Sequence, residues 1–214
     1  MGVHSTDPHV TSFPAGFFSR MDESSDGRFY EPTRLVTHID DDAIRAVGDL
    51  YAERALHLGH VLDLMSSWVS HFYVQPRELT IIGMNEIELA HNSMATNRIV
   101  HDLNADPRIP LAEGSVDHLT CAVSVDYLTR PIDVLRDAAR VVRVGGVAVI
   151  TFSNRCFPTK AIQGWLDTDD ETHCAIVQTY FELAGGWDEI AAERRPTPPR
   201  MDPLYAVTAR RAPS

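Results

Sequence analysis

Residues 60–71 read HVLDLMSSWVSH. Val61-Leu62-Asp63-Leu64 is a short apolar run of the kind that forms a parallel strand buried on both faces. In nucleotide-type α/β folds such a strand runs into a glycine-rich turn, where missing side chains let a ligand approach the backbone. Here the positions for glycine hold Met65, Ser67 and Val69. Asp63 is a carboxylate within an apolar run, and a buried carboxylate demands partners. Taken alone, the stretch fits any strand–loop unit. Its meaning depends on the residues beyond it.

Strand and helix signals alternate downstream. Leu79–Asn85 is a second apolar strand, closing on Gly83 and the polar pair Asn85 and Glu86. Residues 87–96 have helical composition, and Arg98–His101 is a third strand followed by Asp102-Leu103-Asn104. After the turn-rich PRIPLAEGS comes the fourth strand, Val116–Ser124. Pro131–Val142 is an amphipathic helix with Ile132, Leu135, Ala139 and Val142 on one face, proline at its start and Gly145-Gly146 beyond its end. Val147–Phe152 is the fifth strand. Repeated βα units of this kind imply a parallel sheet covered by helices on both faces.

The flanks extend the pattern. Residues 1–27 are rich in Ser, Asp, Gly and Pro with Phe13, Phe17 and Phe18 interleaved, a composition expected to be loosely ordered. Asp40 is the expected N-cap of a helix from Asp41 to about Leu58, with Ile44, Val47, Leu50, Tyr51 and Leu58 as its apolar stripe. Residues 159–183 read mainly as helix, interrupted near Asp167–Asp170 and stopped by Gly185-Gly186. Trp187–Arg195 and Leu204–Arg210 are the last two strands, paired antiparallel across TPPRMDP. The expected fold is therefore α/β and Rossmann-like. It has a seven-stranded, mostly parallel sheet with helices on both faces and an antiparallel C-terminal hairpin. Residues 1–28 are expected as a flexible segment and 29–214 as one domain.

Bulk properties agree with one enzyme-sized unit. The 214 residues suffice for one good core, and 44% hydrophobic with 23% charged residues is an ordinary globular balance. No apolar run is long enough to span a bilayer, and MGVHSTDPHVTSF lacks the layout of an export signal. Cys121, Cys156 and Cys174 are an odd number without metal-type spacing, which points to free thiols and a cytoplasmic setting. A net charge of −11 disfavours nucleic acid, which needs a cationic surface, and leaves a small molecule as the expected partner, with a basic protein substrate open through charge complementarity.

The order VLDL…GMN…HDLNADPRIPLAEGSVDHLTCAVSVDYL…VLRDAARVVRVGGVAVITF resembles the class I S-adenosylmethionine-dependent methyltransferases, in the ubiquinone-type, type 11-like branch. The resemblance covers roughly Val61–Phe152 and is most specific in its latter half. It is weakest at the bend after the first strand, where the glycines are missing. It implies S-adenosyl-L-methionine as cofactor and methyl transfer as the activity. Asp63 would fix the first bend through backbone N–H groups and face the cofactor's amino group. Ser66 and Ser67 would hydrogen-bond its carboxylate, with Met65 and Trp68 narrowing the space. Asn85 would meet the ribose, or Glu86 by a small register shift. Asp102 and Leu103 would meet the adenine, and Ser124 completes the cofactor set. Arg34, in a lid with Tyr30 and His38, is a candidate partner for the cofactor carboxylate. Asp126 and Tyr127, after the fourth strand, and His71, as a base near neutral pH, are the candidates on the acceptor side.

Three rival readings stay open. Side chains at a close-approach bend can abolish ligand fit, leaving a cofactor-deficient binding or scaffolding relative. A nicotinamide-dependent reductase would want glycines after the first strand to admit a pyrophosphate, and there are none. Cys156 beside Arg155 raises a minor thiol or metalloid chemistry through a lowered thiol pKa.

Overall fold

The computed structural model describes residues 12–213. Its sheet has seven strands: β1 His60–Leu64, β2 Glu78–Gly83, β3 Asn97–Val100, β4 Val116–Ala122, β5 Val142–Phe152, β6 Trp187–Arg195 and β7 Leu204–Arg211. Their spatial order is β3-β2-β1-β4-β5-β7-β6. The first five run parallel, and β7 pairs antiparallel with both β5 and β6. The expected fold is therefore the observed one, including the terminal hairpin.

Alternating side chains divide the core between the two faces of the sheet. Leu62, Leu64, Ile82, Leu119 and Ile150 pack with α4 (Pro131–Val141) and α6 (Asp170–Ala184). Val61, Leu79, Ile81 and Val149 pack with α2 (Asp41–Glu53). Helix ends follow local chemistry. Asp40 caps α2 by accepting from the N–H groups of Asp42 and Ala43 at 3.1 and 2.9 Å. Pro131 opens α4, Asp169 caps α6, and Gly185 at φ +71° ends it. Two short helices complete the set, α1 at Asp26–Tyr30 and α5 at Gln163–Leu166, with α3 at Glu86–His91 between β2 and β3.

Several expected boundaries move. The second helix stops at Glu53, and a 3-10 turn over Leu56–Leu58 follows, so Leu58 is 66% exposed and leaves the apolar stripe. The helix read over 87–96 closes at His91, because the side chain of Asn92 turns inward to the Ser67 carbonyl and the Ser70 hydroxyl. Gly145-Gly146 do not stop α4, which ends at Val141; they lie within β5, where the pairing with β4 shifts register. Gly145 takes φ +81°, a conformation open to glycine at little cost.

The expected looseness of residues 1–28 is corrected for 12–28; the first eleven lie outside the described residues. Phe13, Phe17 and Phe18 form an aromatic cluster against Tyr180. Phe17 lies over Gly164, and the backbone of Phe17 and Ser19 bonds to residues 163 and 164. Fully buried Lys160 holds the carbonyls of Asp22 and Ser24 and the carboxylates of Asp22 and Asp26. The polar composition concealed these anchors.

The reversal of strand order between β1 and β4 opens a crevice at the carboxyl ends of the strands, where ligands of such sheets bind. Gly83 closes the adjacent wall. A Cβ there would stand 2.2 Å from the Ser66 carbonyl oxygen, a backbone atom that cannot step aside. Gly83→Ala is therefore expected to cost about 1–3 kcal/mol and lower the melting temperature by roughly 3–10 °C. An unchanged thermal denaturation curve contradicts the close approach.

Candidate functional site

The bend after β1 is organised by Asp63. Its carboxylate accepts from the hydroxyls of Ser66 (2.7 Å), Ser70 (2.8 Å) and Thr120 (2.7 Å). Burial pushes its pKa up, and the three hydroxyl bonds pull it back. No cation pairs with it among the described residues. Met65 stands at φ +52°, so the chain keeps a glycine-type path with a side chain in place. The Ser66 N–H donates to the Ile82 carbonyl at 2.7 Å and ties the bend to β2.

These bonds correct three expectations. Asp63 is held by hydroxyls and not by backbone N–H groups. Ser66 is committed to Asp63, and Ser67 donates to Glu88 at 2.6 Å, so neither hydroxyl is left over for a ligand carboxylate. Trp68 lines the cleft, as its expected narrowing of the space requires, and its indole N–H donates to the Val36 carbonyl at 3.0 Å.

Beyond the bend lies a cleft of about 140 Å³, many times the roughly 10–15 Å³ that one water needs. Asp63, Met65, Ser66, Ser67, Asn85, Asp102, Leu103 and Ser124 all line it, together with Arg34, His71 and Tyr127. The structure thus brings most of the sequence-predicted set to one place. Glu86 is the exception on the cofactor side: it is exposed, outside the wall. Asn85 lines the cleft but caps α3, its amide oxygen accepting from the N–H groups of Ile87 and Glu88 and its NH2 donating to the Tyr30 and Glu31 carbonyls. Asp102 spends one carboxylate oxygen on the N–H groups of Asn104 and Ala105. The other has no protein partner among the described residues. Ser124 is buried, its hydroxyl donating to the Ala122 carbonyl.

The segment from Tyr30 to Ile39 roofs this space. Arg34 gives its backbone N–H to Glu88 at 2.7 Å, and its guanidinium bonds the carbonyls of Pro32 and Phe29 and lies over the Phe29 ring. Glu88, which sequence reading missed, lines the cleft and is 9% exposed. Its position at the third residue of α3, behind a capping asparagine, was the available signal.

On the acceptor side, Tyr127 faces the cleft, but its hydroxyl accepts the Phe157 N–H at 2.9 Å. Asp126 does not face the cleft: it is 2% exposed, and one of its oxygens lacks a partner. Burial raises its pKa to about 8, so it carries a proton at neutral pH. His71 lines the cleft at φ +53°, and burial lowers its pKa to about 4. It is therefore a neutral hydrogen-bonding group at pH 7 and a poor base, contrary to expectation. The thiol reading fails as well. Arg155 pairs with Asp202, and burial pushes the Cys156 thiol up to about 11. No group of three or more metal-ligating side chains occurs among the described residues.

Residues 66–150 match the family model of a methyltransferase domain. No curated protein matches the chain. The cyclase SpnF shares the fold at a TM-score of 0.60 and 15% identity, over 86% of this chain and 90% of that one. A protein from Pyrococcus horikoshii aligns at 0.59 and 12%, over 86% and 98%. A possible histamine N-methyltransferase from Thermotoga maritima aligns at 0.55 and 12%, over 79% and 90%. Identities this low carry the fold and nothing finer.

Asp126 yields a pH signature. Its carboxyl holds a proton more tightly folded than unfolded, so its contribution to stability is complete below about 3.8 and fades as pH rises toward about 8. Asp126→Asn is expected to raise the melting temperature relative to wild type more at pH 8.5 than at pH 5. An offset that does not vary with pH contradicts the buried, protonated carboxyl.

Proposed function

We propose that this chain, which carries a class I S-adenosylmethionine-dependent methyltransferase domain of the type 11-like branch, methylates a small-molecule acceptor. Its cofactor is S-adenosyl-L-methionine. The observation that carries the reading is the cleft at the strand-order reversal, walled by Asp63, Glu88 and Asp102, which have no lysine or arginine side-chain partner among the described residues.

The donor set suits the group. Among the described residues Asp63 and Glu88 stand buried at the cleft on neutral hydrogen bonds alone, which favours a ligand bearing positive charge. Asp102 keeps one oxygen for an amino group, and Leu103 beside it offers an apolar surface for a flat ring. When bound, the cofactor supplies a methyl group already activated on a sulfonium, so the protein's task is chiefly alignment. Met65, Ser124 and the backbone of Ser66 and Ser67 shape the cofactor side. Arg34 holds the roof, and its guanidinium is the candidate contact for the cofactor carboxylate. Tyr127, with its hydroxyl fixed by Phe157, presents a rigid ring toward the acceptor. Neutral His71 can accept a hydrogen bond from an acceptor hydroxyl or amine and so orient it.

A small acceptor follows from the enclosure and the charge. The roof over residues 30–39 limits the opening, and −11 repels a polyanion. A second reading has one observation in its favour. The Ser66 and Ser67 hydroxyls and the Asn85 amide are already occupied, as expected of a relative that has given up the cofactor.

Isothermal titration separates the two. Saturable binding of S-adenosylmethionine and S-adenosylhomocysteine is expected, weakened roughly tenfold by Asp102→Ala. Absence of binding at millimolar ligand refutes the enzyme reading. Methyl-labelled cofactor incubated with the protein and cell extract is expected to label the small-molecule fraction; label confined to protein or nucleic acid refutes the acceptor class.

A further inference from the structure

We infer that Glu88, on the first turn of α3, is the acceptor for the ribose diol of the nucleoside cofactor, in place of the asparagine at the end of β2. This rests on the cofactor reading and names the residue that reads its sugar.

Hydrogen-bond capacity decides between the two. An amide side chain has two lone pairs on oxygen and two N–H donors. In Asn85 all four are used, two on the N–H groups of Ile87 and Glu88 and two on the carbonyls of Tyr30 and Glu31. A diol offers two O–H donors and needs acceptors, and Asn85 has none left. Its role is that of a strut: it starts the helix and ties down the roof. Glu86, the other acidic candidate, is exposed and stands outside the cleft wall.

Glu88 has what Asn85 lacks. A carboxylate carries about four acceptor positions, and two are occupied, one by the Arg34 N–H at 2.7 Å and one by the Ser67 hydroxyl at 2.6 Å. Both partners are neutral. Among the described residues no lysine or arginine side chain pairs with Glu88, although it is 9% exposed and lines the cleft. A carboxylate so placed is left under-solvated, and two further O–H donors from a ligand would complete its shell without displacing either existing partner. The existing bonds also hold it still. Ser67 belongs to the bend after β1, Arg34 to the roof, and Glu88 joins them across the same wall. Its geometry is set before any ligand arrives, which lowers the entropic cost of binding.

The test is isothermal titration of the full chain with S-adenosylhomocysteine and its 2′-deoxy analogue. Wild type is expected to prefer the diol by roughly tenfold or more, the scale of a charge-assisted hydrogen bond. Glu88→Gln is expected to lose most of that preference, weakening the parent compound several-fold more than the deoxy analogue, which keeps its 3′-hydroxyl. Asn85→Ser, which preserves a helix cap, is expected to keep the preference and decides the matter should Glu88→Gln not fold. Equal loss for both ligands in Glu88→Gln, or loss of the preference in Asn85→Ser, overturns the inference and leaves the cofactor reading intact. Failure of wild type to bind either compound overturns the cofactor reading itself.

Discussion

A single buried carboxylate sets the shape of this molecule's working end. Asp63 sits near the end of β1 with three hydroxyls around it. Without them its burial would cost several kcal/mol. With them it gathers β1, β4 and the following bend around one point. Glycine-rich bends obtain their path from missing side chains. Here the path is obtained by bonding side chains inward, with Met65 and His71 held in the left-handed region by the contacts around them. The bend then passes over Gly83 so closely that no other residue fits beneath it.

The second constraint is the roof. The described residues before the first strand do not drape loosely; polar and charged anchors hold them. Lys160 and Arg20 grip Asp26, and Asn104 joins Asp26 to the loop after β4. Asn85 holds the Tyr30 and Glu31 carbonyls, and Glu88 holds the Arg34 N–H. Lys160, Asn104, Asn85 and Glu88 all belong to segments that follow a strand, so the roof is fastened along the sheet's carboxyl edge. Beneath the roof Asp63 and Glu88 line the cleft with 3% and 9% exposure, and buried carboxylates act at greater strength than in water. That setting suits a reaction whose main demand is alignment.

Much of this was legible in the sequence, and the exceptions have physical causes. Apolar runs such as TIIG and VAVITF located the strands, and the proline-rich loop located the terminal hairpin, because burial on both faces leaves little freedom in composition. The N-terminal segment was misread because its polar residues look solvated, whereas its anchors are Lys160, 136 residues beyond Ser24, and the distant ring of Tyr180. The early end of α3 depends on where the Asn92 side chain goes, which is a tertiary fact. Hydrogen-bond capacity was the other hidden quantity. Ser66, Ser67 and Asn85 have the right chemistry for a ligand, but their bonds are already made, and Glu88 becomes visible only once that is counted.

The most direct measurement is a crystal structure grown with S-adenosylhomocysteine. Density for the nucleoside is expected between the Asp63 bend and the roof, with Asp63 still accepting from Ser66, Ser70 and Thr120. A ligand that binds only after this hydroxyl cluster has come apart, or a cleft that remains empty at saturating ligand, contradicts the account.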